Sequence, residues 1–129
     1  MALKLSLKPG EGFIINGAAI TNGDKRASLI IQNKANILRK KDIMSPSSAD
    51  NLPRRLYFVI MCRILGELEE RAFLASMTSL VAAFLDTDRS RADLVSLQNV
   101  VLLLKQMRLY QALGQCRTLS NFNSIPSSQ

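Results

Sequence analysis

The chain has 129 residues, with 17 Lys plus Arg against 10 Asp plus Glu and no His, so its formal charge is +7. That is the length of one domain or of two very small lobes, and 47% hydrophobic residues give it the apolar surface to fold as a compact soluble protein. Without His the commonest general base and metal ligand are missing, which sets aside zinc sites and Ser-His or Cys-His hydrolases, while a pI near 9.9 points to an anionic partner.

The first residues, MALKLSLKPG, lack the apolar core of an export signal. Leu3, Leu5 and Leu7 alternate with Lys4, Ser6 and Lys8, the period of a half-buried strand. Pro9-Gly10 turns the chain. Further strands are expected at Gly12 to Ile15, Ala18 to Thr21, Ala27 to Gln32 and Asn36 to Ile43. Asn16-Gly17 and Asn22-Gly23 read as tight hairpin turns, because both dipeptides tolerate positive φ. The five strands are expected to be antiparallel and to form a meander.

Ser45 to Ser48 breaks this pattern, and helical spacing follows. Residues 45–52 read as a linker. Asp50 or Asn51 is placed to cap a helix with Pro53 in its first turn. One helix, or two broken at Gly66, should run to about Leu85, and a long helix should run from Ser90 or Asp93 through Leu113, with Gly114 as its stop. The expected architecture is therefore α+β: a β lobe over residues 1–44 and a lobe of two to three helices over residues 53–114. Residues 115–129 are expected to be a loosely ordered polar tail.

On the last long helix, Leu94, Leu97, Val101 and Leu104 follow heptad-like spacing, and Val100, Leu103 and Met107 widen the apolar surface. Such a helix is either buried centrally in a small bundle or forms a helix–helix interface with another subunit or partner. Glu67, Glu69, Glu70 and Arg71 read as a solvated face. Cys62 and Cys116 are far apart in apolar segments, as reduced thiols of a cytoplasmic protein are. No apolar run approaches the roughly 18 residues of a membrane span.

Charge is divided unevenly. Residues 1–44 hold eight basic and three acidic residues, the remainder nine and seven. Lys4 and Lys8 lie on the first strand, and Arg39, Lys40 and Lys41 on the last. Such a basic strand pair binds phosphate, or serves as a sheet edge guarded by Lys against aggregation. Catalysis has little support: Glu11 and Asp24 are explained by turn chemistry, Ser47 and Ser48 have no His, and the G-E-G at Gly10 to Gly12 is not a phosphate loop. No cofactor or metal site is expected.

The run LSLKPGEGFIINGAAI, the segment NKANILRKKDIM and P-R-R-L-Y-F at Pro53 to Phe58 resemble the FlbT family over nearly the whole chain. The resemblance implies a post-transcriptional regulator of flagellum biogenesis. It would act on the leader of flagellin messenger RNA, by altering translation or promoting decay, with a separate ribonuclease for any cleavage. The β lobe alone is similar to the carbon storage regulator (CsrA) family, strand-swapped dimers in which the first strand of one subunit lies beside the last strand of the other. That similarity implies a homodimer with Ser6 and Lys8 on one strand of an RNA site and Arg39 on the other. Leu7 stands where that family has a basic residue, and Lys4, Lys40 and Lys41 would supply compensating phosphate contacts. With only Phe13 aromatic in this lobe, recognition would rest on hydrogen bonds and charge rather than stacking. From another class, the helical lobe resembles in character small secretion chaperones, which makes an adaptor for flagellin or a flagellar chaperone the alternative.

Overall fold

The computed structural model describes residues 3–122, which fall into two units, residues 3–43 and 44–122. In the first, alternation is converted directly into burial. Leu5 and Leu7 of β1 (Leu3–Leu7) are buried while Lys4 and Ser6 are exposed. β2 (Gly12–Ile15) and β3 (Ala18–Thr21) form the hairpin expected at Asn16-Gly17, with φ of 49° and 85° at the two turn residues. Phe13, Ile37 and Leu38 join the two β1 leucines as the buried apolar residues of the unit.

The five antiparallel strands do not form a meander. β1 pairs with β4 (Ala27–Ile31), and β2 lies between β3 and β5 (Ile37–Arg39), giving sheets of two and three strands. Asn22-Gly23 is consequently not a hairpin turn. The Asn22 side-chain Nδ2 instead donates to the carbonyls of Lys8 and Lys25 at 2.8 and 2.9 Å, tying the end of β1 to the start of β4. The last strand is also shorter than expected: Lys40–Asp42 form a 3-10 turn, so Arg39 alone of the basic trio stands on a strand.

The second unit has four helices where two to three were expected. Asn51 caps α1 (Leu52–Ile64) by accepting from the Arg54 amide at 2.9 Å, and Pro53 occupies the first turn, where no N–H is needed. Leu56, Tyr57, Ile60, Met61 and Ile64 bury one face of α1. Each fully buried aliphatic or aromatic side chain stabilises by about 1.5–3 kcal/mol. The helix ends at Gly66 (φ +79°): the Gly66 amide donates to Arg63 O and the Glu67 amide to Cys62 O, the paired closure of a Schellman motif. α2 (Glu70–Leu85) then packs on α1.

The expected long helix is split. α3 (Arg91–Lys105) starts at Ser90, whose Oγ accepts from the Asp93 amide at 3.1 Å. It stops before Met107, which takes φ +61° while its amide donates to Leu104 O and the Arg108 amide to Leu103 O. This is the same closure as at Gly66, with Met in the place usually held by glycine. α4 (Leu109–Cys116) follows and packs on both α1 and α3, so Gly114 lies inside a helix rather than at its end.

Residues 115–122 are packed, in contrast to the loose tail expected there. Cys116, Leu119 and Phe122 are buried, and Tyr57 and Phe122 rings meet at 5.4 Å. Arg54 Nε donates to Phe122 O at 2.8 Å and the Asn51 amide group to Asn121 O at 2.8 Å. Asp93 accepts from the Ser120 amide and hydroxyl at 2.9 and 3.0 Å. Residues 123–129, the rest of that expected tail, lie outside the described residues.

Candidate nucleic-acid interface

β1 sets its polar residues in one row. Lys4, Ser6 and Lys8 are exposed, and successive members of such a row are about 7 Å apart along a strand. Leu7 is buried on the opposite face, so the residue at this position serves packing rather than phosphate contact. At the end of the strand Pro9-Gly10 turns the chain with φ +73° at Gly10, and Glu11 closes the turn: its amide donates to Lys8 O at 3.1 Å and its carboxylate accepts from the Lys8 amide at 2.9 Å.

Arg39 reaches this turn from β5. Its Nη1 pairs with Glu11 Oε2, and its Nη2 lies 3.5 Å from the Ser6 carbonyl oxygen. Thus Ser6, Lys8 and Arg39 are brought together within one copy although β1 and β5 do not pair. The Lys8 amide, reinforced by the Arg39 guanidinium, holds the Glu11 carboxyl below its ordinary value, so it is ionised and neutralises Arg39.

The remaining basic residues are placed differently. The Lys40 side chain lies over Gly12, where a Cβ would come within 3.1 Å of Lys40 Cδ. Lys41 is exposed on the 3-10 turn. Lys4 sits further along β1 and shares the face of Ser6 and Lys8. Sequence reasoning missed Glu11 as the counterion of Arg39. The two are 28 residues apart, and no local pattern announces a pair set by strand order.

In the helical unit the four heptad-like residues do not share one environment. Leu97 is buried beside Val100 on the inner face of α3, Leu94 is exposed, and Val101 and Leu104 line an apolar groove of about 570 Å³. Phe73, Leu74, Met77, Val81 and Leu85 of α2 form its other wall, with Arg63, Glu70 and Lys105 at its margin. α2 packs on α1, and α3 on α4, which leaves the space between α2 and α3 open. Among the described residues no helix is long and apolar enough to cross a membrane, and no three His, Cys, Asp or Glu cluster as metal ligands.

Comparison with known proteins decides the family. Residues 3–124 match the model of the family described as "Flagellar protein FlbT". The chain belongs to the FlbT family. A relative from Caulobacter vibrioides strain ATCC 19089, named flagellum biosynthesis repressor protein FlbT, is 38% identical over 125 residues, covering 95% of this chain and 86% of that one. A probable flagellum biosynthesis repressor protein FlbT from Caulobacter sp. strain K31 is 55% identical over 67 residues, about half of each chain. Another, from Chelativorans sp. strain BNC1, is 28% identical over 116 residues, covering 90% of this chain and 79% of that one. No solved structure matches the chain. The FlbT match spans both units.

Proposed function

We propose that this FlbT-family chain regulates flagellum biosynthesis after transcription, by binding the leader of a flagellin messenger RNA through its β unit and repressing expression through the message's translation or stability. The observation that carries this reading is the convergence of Ser6, Lys8 and Arg39 at one end of β1. Relatives named as flagellum biosynthesis repressors support the process and its sign. Lys4, Lys8, Lys40 and Lys41 neutralise phosphates and release counterions, while Arg39, drawn from Glu11 by a stronger anion, offers a bidentate donor to phosphate or a base edge. The strand backbone and Ser6 supply hydrogen bonds to unpaired bases. The protein makes and breaks no covalent bond in this scheme. It works in the cytoplasm as a homodimer, with β1 of one copy beside β5 of the other.

Gel-shift titration of leader RNA at physiological salt tests the reading. The double variant Lys8→Ala/Arg39→Ala is expected to lose at least tenfold in affinity, since each phosphate contact adds to the salt-dependent part of binding. Unchanged affinity would overturn the site.

The groove between α2 and α3 favours a second reading, an adaptor that takes an amphipathic helix of flagellin or of a flagellar chaperone. Salt separates the two: RNA binding through several phosphates weakens steeply between 50 and 200 mM salt, by about tenfold or more, whereas a helix in an apolar groove is nearly insensitive. Leu74→Glu, which places a charge on the exposed wall of that groove, should abolish helix capture and leave RNA affinity intact.

A further inference from the structure

The register of the β1–β4 ladder joins residues that no sequence pattern links. Lys4 stands opposite Ile30 and Ser6 opposite Ser28; the last pair is Leu7 with Ala27, and Lys8 and Arg26 each lie one residue beyond it, outside the ladder. Residues directly opposite in an antiparallel pair share a face. That face therefore carries Lys4 and Ser6 from β1 with Ile30 and Ser28 from β4; Lys8 and Arg26 follow where the two strands end, and all six are exposed.

Two features of this face point to a ligand. First, Lys8 and Arg26 place two exposed cations at the same end of the β1–β4 ladder, where they raise the local concentration of anions. Among the described residues neither forms an ion pair with an acid. Glu11, the carboxylate nearest Lys8 in sequence, spends its oxygens on Arg39 and on the Lys8 backbone amide, and Asp24, two residues before Arg26, forms no ion pair with it. Second, a pair of facing hydroxyls lies between that cationic end and Lys4, and an isoleucine 62% exposed sits opposite Lys4. Cations, hydroxyls and an apolar side chain in sequence match the phosphate, sugar and base of a single strand.

We propose that Arg26 and Ser28 complete the RNA-binding face, so that a single strand lies along the β1–β4 ladder rather than only at the meeting of β1 and β5. Arg26 and Lys8 clamp one phosphate, Ser28 with Ser6 bonds the ribose 2′-hydroxyl, and Ile30 supports a base. This rests on the RNA reading above and adds to it a strand and a sugar preference.

The test is titration of the full chain with leader RNA, and with DNA of the same sequence, across a salt series. Arg91→Gln, at an exposed arginine of α3, serves as the charge-matched control. Arg26→Gln is expected to weaken RNA binding about fivefold to tenfold at physiological salt and to lower the slope of log affinity against log salt by about 0.7, one single-strand phosphate. Arg26→Lys should keep the slope and lose part of the affinity, because a point charge replaces a bidentate fork. Ser28→Ala should leave the slope unchanged and narrow the preference for RNA over DNA. Arg26→Gln indistinguishable from Arg91→Gln, while Lys8→Ala/Arg39→Ala still weakens binding, would overturn the β4 assignment and leave the parent reading standing. Absence of leader binding by the unaltered chain would remove both.

Discussion

Asp93→Ala should cut the C-terminal segment loose from the helical unit. The Asp93 carboxylate is buried at the start of α3 and accepts from the Ser120 amide and hydroxyl at 2.9 and 3.0 Å, with Arg89 Nη1 at 3.6 Å and the Arg89 guanidinium over the Phe84 ring at 4.4 Å. Hydrogen bonds to a charged acceptor contribute about 1.5–3 kcal/mol each and are not additive. The 3.6 Å ion pair adds little, and water regains the exposed Ser120 hydroxyl, so the net loss should be about 2–3 kcal/mol. Thermal unfolding followed by circular dichroism reads this directly: at about 4–8 °C per kcal/mol for a unit of this size, the midpoint should fall on the order of 10–20 °C.

The same latch predicts a pH dependence. Burial alone would raise the Asp93 carboxyl, but the Ser120 donors and Arg89 outweigh it and hold the group below its ordinary value of about 3.9. A folded-state value below the unfolded one means stability present at neutral pH and lost as pH falls through the folded-state value. The gap between the parent chain and Asp93→Asn should therefore be full at pH 6 and close in acid, below the ordinary value. Equal midpoints at pH 6, or an Asp93→Ala cost within 0.5 kcal/mol, would refute the latch, since changes of that size are what unremarkable surface positions give.

Three further outcomes follow from single sites. Glu11→Gln keeps an acceptor for the Lys8 amide but frees Arg39, and should tighten leader RNA about twofold to fivefold in a gel-shift titration, the reach of an exposed ion pair of ~0.4–1 kcal/mol; a weakened complex would show that Glu11 itself contacts RNA. Met107→Gly relieves a left-handed conformation in a side chain 76% exposed, and should raise stability in urea by up to about 1 kcal/mol; a fall would mean that Met107 contributes more by lining the groove than it costs in strain. Cys116, buried and with its thiol pushed up to about 12, should resist iodoacetamide at pH 8 until the helical unit unfolds, as read by mass spectrometry.

Local chemistry was legible at several places where one residue acts on its neighbours, though not at Asn22-Gly23, whose turn signal did not make a hairpin. The alternation of Leu3 to Lys8 gives β1 and its two faces, Asn16-Gly17 gives the β2–β3 turn, and Asp50 or Asn51 with Pro53 marks the start of α1, with Gly66 as one of two readings of its end. The end of α3 was not legible, because Met107 takes the role that glycine usually signals and nothing in its side chain marks it. Likewise the apolar run of α3 declared that much of its surface was covered, yet not that Leu97 would go inward while Val101 and Leu104 would line an open groove.

The candidate site divides along the same line. Composition and spacing alone determined that the β unit is basic, that Lys4, Ser6 and Lys8 share one strand face, and that no histidine chemistry is available. Which strands lie side by side was decided only by the tertiary structure, because backbone N–H and C=O groups are the same at every residue and a period of two names a face without naming a neighbour. That pairing puts Ser28 opposite Ser6, leaves Arg26 and Lys8 at the same end of the β1–β4 ladder, and sets Arg39 against Glu11 across 28 residues. Charge was written into the chain; its neutralisation at Arg39 and its exposure at Lys8 are properties of the fold.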